Sequence, residues 1–211
     1  MEMRSVRINM RSVRIDISCM ISFIWAYPEG PPLKACTHMF PTDHGASAQT
    51  ADPYFKITTS TETYSEGGTI EVTLEATSNY YEGVFIQARR TNCDNTEPVG
   101  TFTLSQGETF LKTMNCNNKD NSAVAHQTKR HETSKTITWK APAETVGQIY
   151  FQGTFVRNEK TFWVGVFSPI IKPVADSAKA NEEFCPVESS VGNLSISLIS
   201  LCLSMIVFKL L

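Results

Sequence analysis

TIEVTLEA, residues 69–76, sets Ile70, Val72 and Leu74 on one face of an extended chain and threonines and glutamates on the other. Alternation with a period of two is the pattern of a strand with one face on a core and one in water. Glu66-Gly67-Gly68 supplies the turn that starts it. Downstream, GVFIQAR (83–89) reads as a strand nearer the core, and KTITW (135–139) alternates again with Ile137 and Trp139 inward. Segments 148–156 and 161–167 form a strand pair around Arg157-Asn158-Glu159-Lys160, a polar hairpin loop. Helical periodicity is almost absent. Short strands at this spacing, punctuated by Gly, Pro and Asn, predict an all-β antiparallel sandwich.

The flanking segments are of a different kind. Residues 28–53 are rich in Pro, Gly, Ala and His and lack periodicity, so covalent help is expected to keep them ordered, and Cys36 can supply it. Residues 115–122 (NCNNKDNS) read as a polar loop holding Cys116, and residues 172–193 as a polar stalk. At the start, Arg4, Arg7, Arg11 and Arg14 precede an uncharged apolar run ending at Ala26, the layout of a secretory signal with an apolar stretch too short to span a bilayer. MRSVRI occurs at 3–8 and again at 10–15, so Met1, Met3 and Met10 all stand as possible initiators, and each leaves arginines before the apolar run. Residues 194–211 are apolar apart from serines and Lys209, at the lower edge of a membrane span. That tail fits either a glycosylphosphatidylinositol (GPI) attachment signal, with Ser189 and Ser190 or Gly192 and Asn193 as acceptor sites, or a minimal single span. The expected organisation is a signal over 1–26, one domain over 27–171, the stalk, and the tail.

Loss of the leader removes four arginines and two acids, taking the formal net charge from −2 to −4. A mildly acidic exported domain without a Lys/Arg cluster has no general attraction to nucleic acid. Of six cysteines, Cys19 falls in the leader and Cys202 in the tail. Cys36, Cys93, Cys116 and Cys185 remain, an even number in an oxidising compartment, which reads as two disulfides; spacing alone leaves three pairings open.

In order along the chain, YPEGPPLKACTHMFPTDHG (27–45), ADPYFKI (51–57), GVFIQARR (83–90), VGTF (99–102), AVAHQT (123–128), ITWKAP (137–142), IYFQGTFV (149–156) and TFWVGVFSP (161–169) resemble the reelin (reeler) domain family. The departures are small: Pro31 stands where Ala is usual, and Ala125 where a Thr often precedes the motif histidine. The resemblance implies an extracellular immunoglobulin-like sandwich of the kind found in matrix proteins, ferric-chelate-reductase-like membrane proteins and small insect defence proteins. It also implies a Cys36–Cys116 disulfide tying the irregular N-terminal segment to the sheet. Closing that loop is worth about 4 kcal/mol in the chain-entropy treatment. Parity of the count then suggests Cys93 with Cys185, a pairing the family pattern does not supply.

Chemistry-bearing motifs are sparse. His38, His44 and His126 could meet and bind a metal through imidazole, but their spacing matches no zinc motif, and structural roles for His44 and His126 around the first disulfide are the plainer reading. No Gly-x-Ser-x-Gly elbow and no phosphate-binding glycine loop occurs. Tyr80-Tyr81 at a loop end is a candidate recognition patch, although packing is the commoner fate of such residues, and Arg89-Arg90 is a candidate contact for an anion, although a pair is not a patch. Phe162 and Trp163 fall on opposite faces of one strand, so one is expected in the core and the other partly exposed. No cofactor is implied and no catalytic residue stands out. The expectation is a non-enzymatic, cell-surface-tethered recognition domain for an extracellular protein or glycoconjugate, in defence or matrix contact, with an accessory role in iron or redox handling as the alternative. Fold-level kinship does not transfer the reductase activity.

Overall fold

The computed structural model describes residues 29–92 and 96–174. The leader, the tail, Cys93, Cys185, Ser189, Ser190 and the stalk beyond Val174 lie outside the described residues.

Eleven strands are described: β1 (Phe55–Thr59), β2 (Thr63–Tyr64), β3 (Thr69–Ala76), β4 (Gly83–Arg90), β5 (Thr101–Thr103), β6 (Leu111–Cys116), β7 (Lys119–His126), β8 (Ser134–Lys140), β9 (Ile149–Asn158), β10 (Thr161–Phe167) and β11 (Lys172–Pro173). They form a four-stranded sheet ordered β1-β3-β8-β5 and a five-stranded sheet ordered β10-β9-β4-β7-β6, both antiparallel. β11 pairs in parallel with β2, so strand pairing runs through Pro173. The architecture is the expected β-sandwich.

Alternation fixes which side chains enter the core. β3 opposes β8 with Ile70 across from Trp139 and Val72 across from Ile137, and all four are buried. From the other sheet Val84, Ile86 and Ala88 of β4 and Phe151 and Phe155 of β9 join the same cluster. Phe155 stacks on Phe55 at 4.9 Å, and Trp139 meets Phe151 edge-on at 5.6 Å. The Trp139 indole donates to the Val99 carbonyl at 3.0 Å. Gly100, at φ +66°, lies where any Cβ would collide with that indole, so only glycine lets the backbone pass.

Two expected loops are strands. Residues 115–122 are the tip of the β6–β7 hairpin, closed by Asn117 and Asn118 at φ 53° and 59°. Asparagine tolerates that left-handed backbone, so a polar stretch makes a two-residue turn instead of a loop. Likewise Arg157 and Asn158 belong to β9, and only Glu159-Lys160 turn the chain, with Asn158 Oδ1 accepting the Lys160 N–H at 3.0 Å. A further correction concerns β10. Phe162 and Trp163 are both buried, because the sheet carrying them is covered on both faces.

Candidate functional site

The second cover is the N-terminal segment. It holds one turn of helix, α1 (Ala35–His38), and a short 3₁₀ turn at Thr42–His44, and otherwise crosses the outer face of the five-stranded sheet as a strap. Too short and irregular to satisfy itself, it is tied to the sheet at successive strands. Cys36 is disulfide-bonded to Cys116 of β6. The Cys36 carbonyl accepts from Gln87 Nε2 at 3.1 Å and Arg89 Nη2 at 2.7 Å, both on β4, and the Thr37 carbonyl from Arg89 Nη2 at 2.9 Å. The Thr154 hydroxyl of β9 donates to the Met39 carbonyl at 2.6 Å. At β10, Gln49 N–H donates to the Phe162 carbonyl at 2.9 Å, and the Trp163 indole to the Ala51 carbonyl at 3.0 Å. Beneath these ties Ala35, Cys36, Met39, Phe85, Met114, Cys116, Ala123 and Ala125 form a small core of their own.

Arg89 is therefore no surface cation. Its guanidinium is fully buried, donates to neutral oxygens of Cys36, Thr37 and Gln87, and is pushed down to about 10 by burial. Arg90 is half-buried at the strand end. Tyr81 is wholly buried among Phe55, Phe110 and Phe155, and burial raises its phenol. Period-two alternation separates the members of each candidate pair, so Tyr81 and Arg89 are packed inside while Tyr80 and Arg90 stay partly open. Tyr80 is stacked on His131 at 3.6 Å with the Arg157 guanidinium 5.4 Å from its ring centroid.

The histidines are structural in two cases and distinctive in one. His38 Nδ1 accepts the Phe40 N–H at 2.9 Å, and burial, then Lys34 and Arg89, holds its pKa below the ordinary value. His126 lies on the backbone of Gly83, where a Cβ would meet its ring, and its Nδ1 is 3.2 Å from both the N–H and the carbonyl of Val84. Among the described residues no three His, Cys, Asp or Glu side chains gather for a metal, the candidates His38, His44 and His126 included. His44 is buried edge-on against Phe162 at 5.4 Å. Burial lowers its pKa, although a backbone hydrogen bond with Glu159 works the other way.

His44 and His126 instead share a crevice of about 40 Å³ between strap and sheet. Pro31, Met39 and Phe40 form its roof side, and Val84, Phe85 and Val156 its floor. Sequence reasoning missed it because its walls come from four segments far apart in the chain. The one signal available was that the strap and the start of β4 both carry motif residues of the resemblance.

The reeler-domain family profile matches residues 34–179, most of the chain and all of this site but its first prolines. The chain belongs to the reeler-domain family. A Bombyx mori relative bearing a defense-protein name is 33% identical over 150 residues, spanning 69% of this chain and 85% of its own length. Ferric-chelate reductase 1 of Homo sapiens is 33% identical over 151 residues, 72% of this chain but only 25% of that protein. Among solved structures, the human F-spondin reeler domain superposes with a TM-score of 0.51 at 21% identity, covering 61% of this chain and 94% of that one, a likeness of fold. Among the described residues no helix is long and apolar enough to cross a membrane.

Proposed function

We propose that this reeler domain is an exported, surface-tethered recognition module that acts by contact and without turnover. The observation that carries the reading is how the site's chemistry is already committed. Gln87 and Arg89 hold the strap, His38 caps its backbone and His126 is bonded to the β4 backbone, and what they leave behind is a small apolar crevice suited to binding. Family membership, and a relative named for defense that spans most of its own length, support an extracellular setting and a defence or matrix role. The leader and tail support export and tethering, through a lipid anchor or a single span. The ligand is a protein or glycoconjugate met outside the cell. A glycan and protein array probed with the recombinant domain is expected to give saturable binding, and a blank array would remove the reading. Phosphatidylinositol-specific phospholipase is expected to release the surface-labelled protein if the anchor is lipid. Kinship with ferric-chelate reductase 1 favours a second reading, an accessory role in iron handling. Soret absorbance in the purified protein would favour it over the first.

A further inference from the structure

Away from the strap, one cation is held without a carboxylate. Arg157, near the end of β9, is partly exposed, and among the described residues it makes no ion pair. Its partners are two tyrosines. Nη1 donates to the Tyr54 hydroxyl at 3.2 Å, and the guanidinium carbon stands 5.4 Å from the centroid of the Tyr80 ring. Each tyrosine is itself fixed: Tyr54 packs on Trp163 at 4.8 Å and on Phe55 at 4.9 Å, and Tyr80 stacks on His131 at 3.6 Å. The guanidinium is therefore positioned before any ligand arrives, which lowers the ordering cost of binding. The acids of the adjoining segments are already engaged. Glu82 takes Lys129 at 3.2 Å and His131 at 3.1 Å, and Glu159 takes Lys160 at 3.7 Å. A guanidinium has five N–H donors, and the Tyr54 hydroxyl, having accepted one, keeps its own proton to donate. Donors gathered on an unpaired charge call for an anionic acceptor.

The surroundings narrow the choice of anion. A sulfated or phosphorylated chain needs several free cations, whereas Lys129 and Lys160 are both ion-paired. One guanidinium suits one planar carboxylate, which it meets through two parallel N–H bonds. A protein partner needs a desolvated apolar centre, and the exposed large apolar side chains among the described residues are Leu33 and Val174, neither in this cluster. The chain neighbours of Tyr80 and Arg157 are instead Asn79 and Asn158, exposed amides of the kind that hydrogen-bond sugar hydroxyls. Resting on the recognition reading above, we infer that Arg157, with the Tyr54 hydroxyl beside it, binds the carboxylate of an acidic sugar, a uronic or sialic acid unit.

The test titrates methyl glucuronide and methyl sialoside into the isotope-labelled protein at pH 7.5, following the Arg157 Nε–H and Tyr80 ring signals. Methyl glucoside, glucose 6-sulfate and the peptide Gly-Glu-Gly serve as comparisons. At least one acidic sugar is expected to shift these signals saturably, with the comparison probes about tenfold weaker. Which of the two acids binds identifies the sugar. Arg157→Gln is expected to weaken that acid about tenfold, and Tyr54→Phe, which keeps the ring against Trp163, about threefold. Lys140→Gln, exposed at the far end of β8, is expected to change nothing. The methyl ester of the bound acid is expected to fail on the unaltered protein, a check that does not depend on Arg157 being replaceable. Equal or tighter binding of a comparison probe or the ester, an unchanged Kd in Arg157→Gln, equal weakening by Lys140→Gln, or no shift at Arg157 would each overturn the inference. Saturable array binding of a neutral glycan or a protein that Arg157→Gln leaves intact would overturn this site and leave the recognition role standing.

Discussion

On its inner face β4 gives Val84, Ile86 and Ala88 to a core shared with the opposite sheet; on its outer face the same strand gives Phe85, Gln87 and Arg89 to a layer roofed by the strap. Seven of its eight residues are buried, yet the two faces are buried by unlike means. The inner face is apolar and interdigitated, so its cohesion is spread over many contacts, none of which needs a partner of one kind. The outer face is held by a disulfide, a fully buried cation and hydrogen bonds to strap carbonyls, each specific. Regular structure can be kept by redundancy. A segment with no regular structure has to be kept by named anchors, and a binding crevice can open where those anchors leave a gap.

The largest effect is expected where redundancy is densest. Trp139→Ala removes the indole that meets Tyr64 and Phe151 and orphans the Val99 carbonyl, and should cost about 5 kcal/mol. Urea unfolding would show it as global loss. A cost near 1 kcal/mol would mean the inner core is looser than its packing implies. Next in size, Cys36→Ser with Cys116→Ser should cost about 4 kcal/mol, set by the 80-residue separation. Its signature is different: hydrogen exchange should accelerate at Met39 and Thr42 while Val72 and Leu74 stay protected. Uniform acceleration across both regions would erase the contrast between the faces.

That contrast also decided what could be read in advance. Ile70, Val72, Leu74, Ile137 and Trp139 announce themselves by alternation, since one wet face and one dry face leave a period-two record. In β4 and β10 both faces are dry, and the record disappears. Arg89 reads as a surface cation because burial of a guanidinium depends on carbonyls of Cys36 and Thr37 more than fifty positions away. Phe162 reads as half-exposed for the same reason, its cover being Phe40 and His44. The disulfide was legible only through family resemblance, and the crevice, made where strap meets sheet, left no more than motif residues shared by the strap and β4.

Arg89→Met probes the strap's main polar anchor. The substitution strands the Thr37 carbonyl and the Gln87 side-chain oxygen and leaves the Cys36 carbonyl with Gln87 Nε2 as donor, yet relieves the cost of a buried charge whose hydrogen-bond partners are all neutral. The first effect is the larger, because unsatisfied buried acceptors are penalised in full, and the net loss should be about 2 kcal/mol. Stabilisation on replacement would mean the cation is tolerated and not used. Arg89→Lys should not restore stability, since an ammonium cannot reproduce the fork that spans Gln87 and the strap.

The smallest effect is one of pH, and it too belongs to the outer face. His38 and His44 both have folded pKa values below the ordinary 6.5, burial being the first cause in each. In the unfolded chain they bind protons at a higher pH than in the folded one, so stability rises with pH wherever the two states differ. The full contribution is present above 6.5 and drains away as pH falls through the lowered folded values. Glu108, whose pKa is also lowered from 4.5, acts further toward acid and does not confuse the range between 7 and 5. Unfolding midpoints at pH 7.5, 6.0 and 5.0 should therefore decline modestly, and His44→Phe should flatten part of the slope. The decline should begin as loosening of the strap, with amide exchange rising near Phe40 and Thr42 before it rises in β3, because no histidine lies in the inner core. A midpoint that held steady or rose on acidification would show that these imidazoles are protonated as readily under the strap as in water, and that the roof is more open than its anchors indicate.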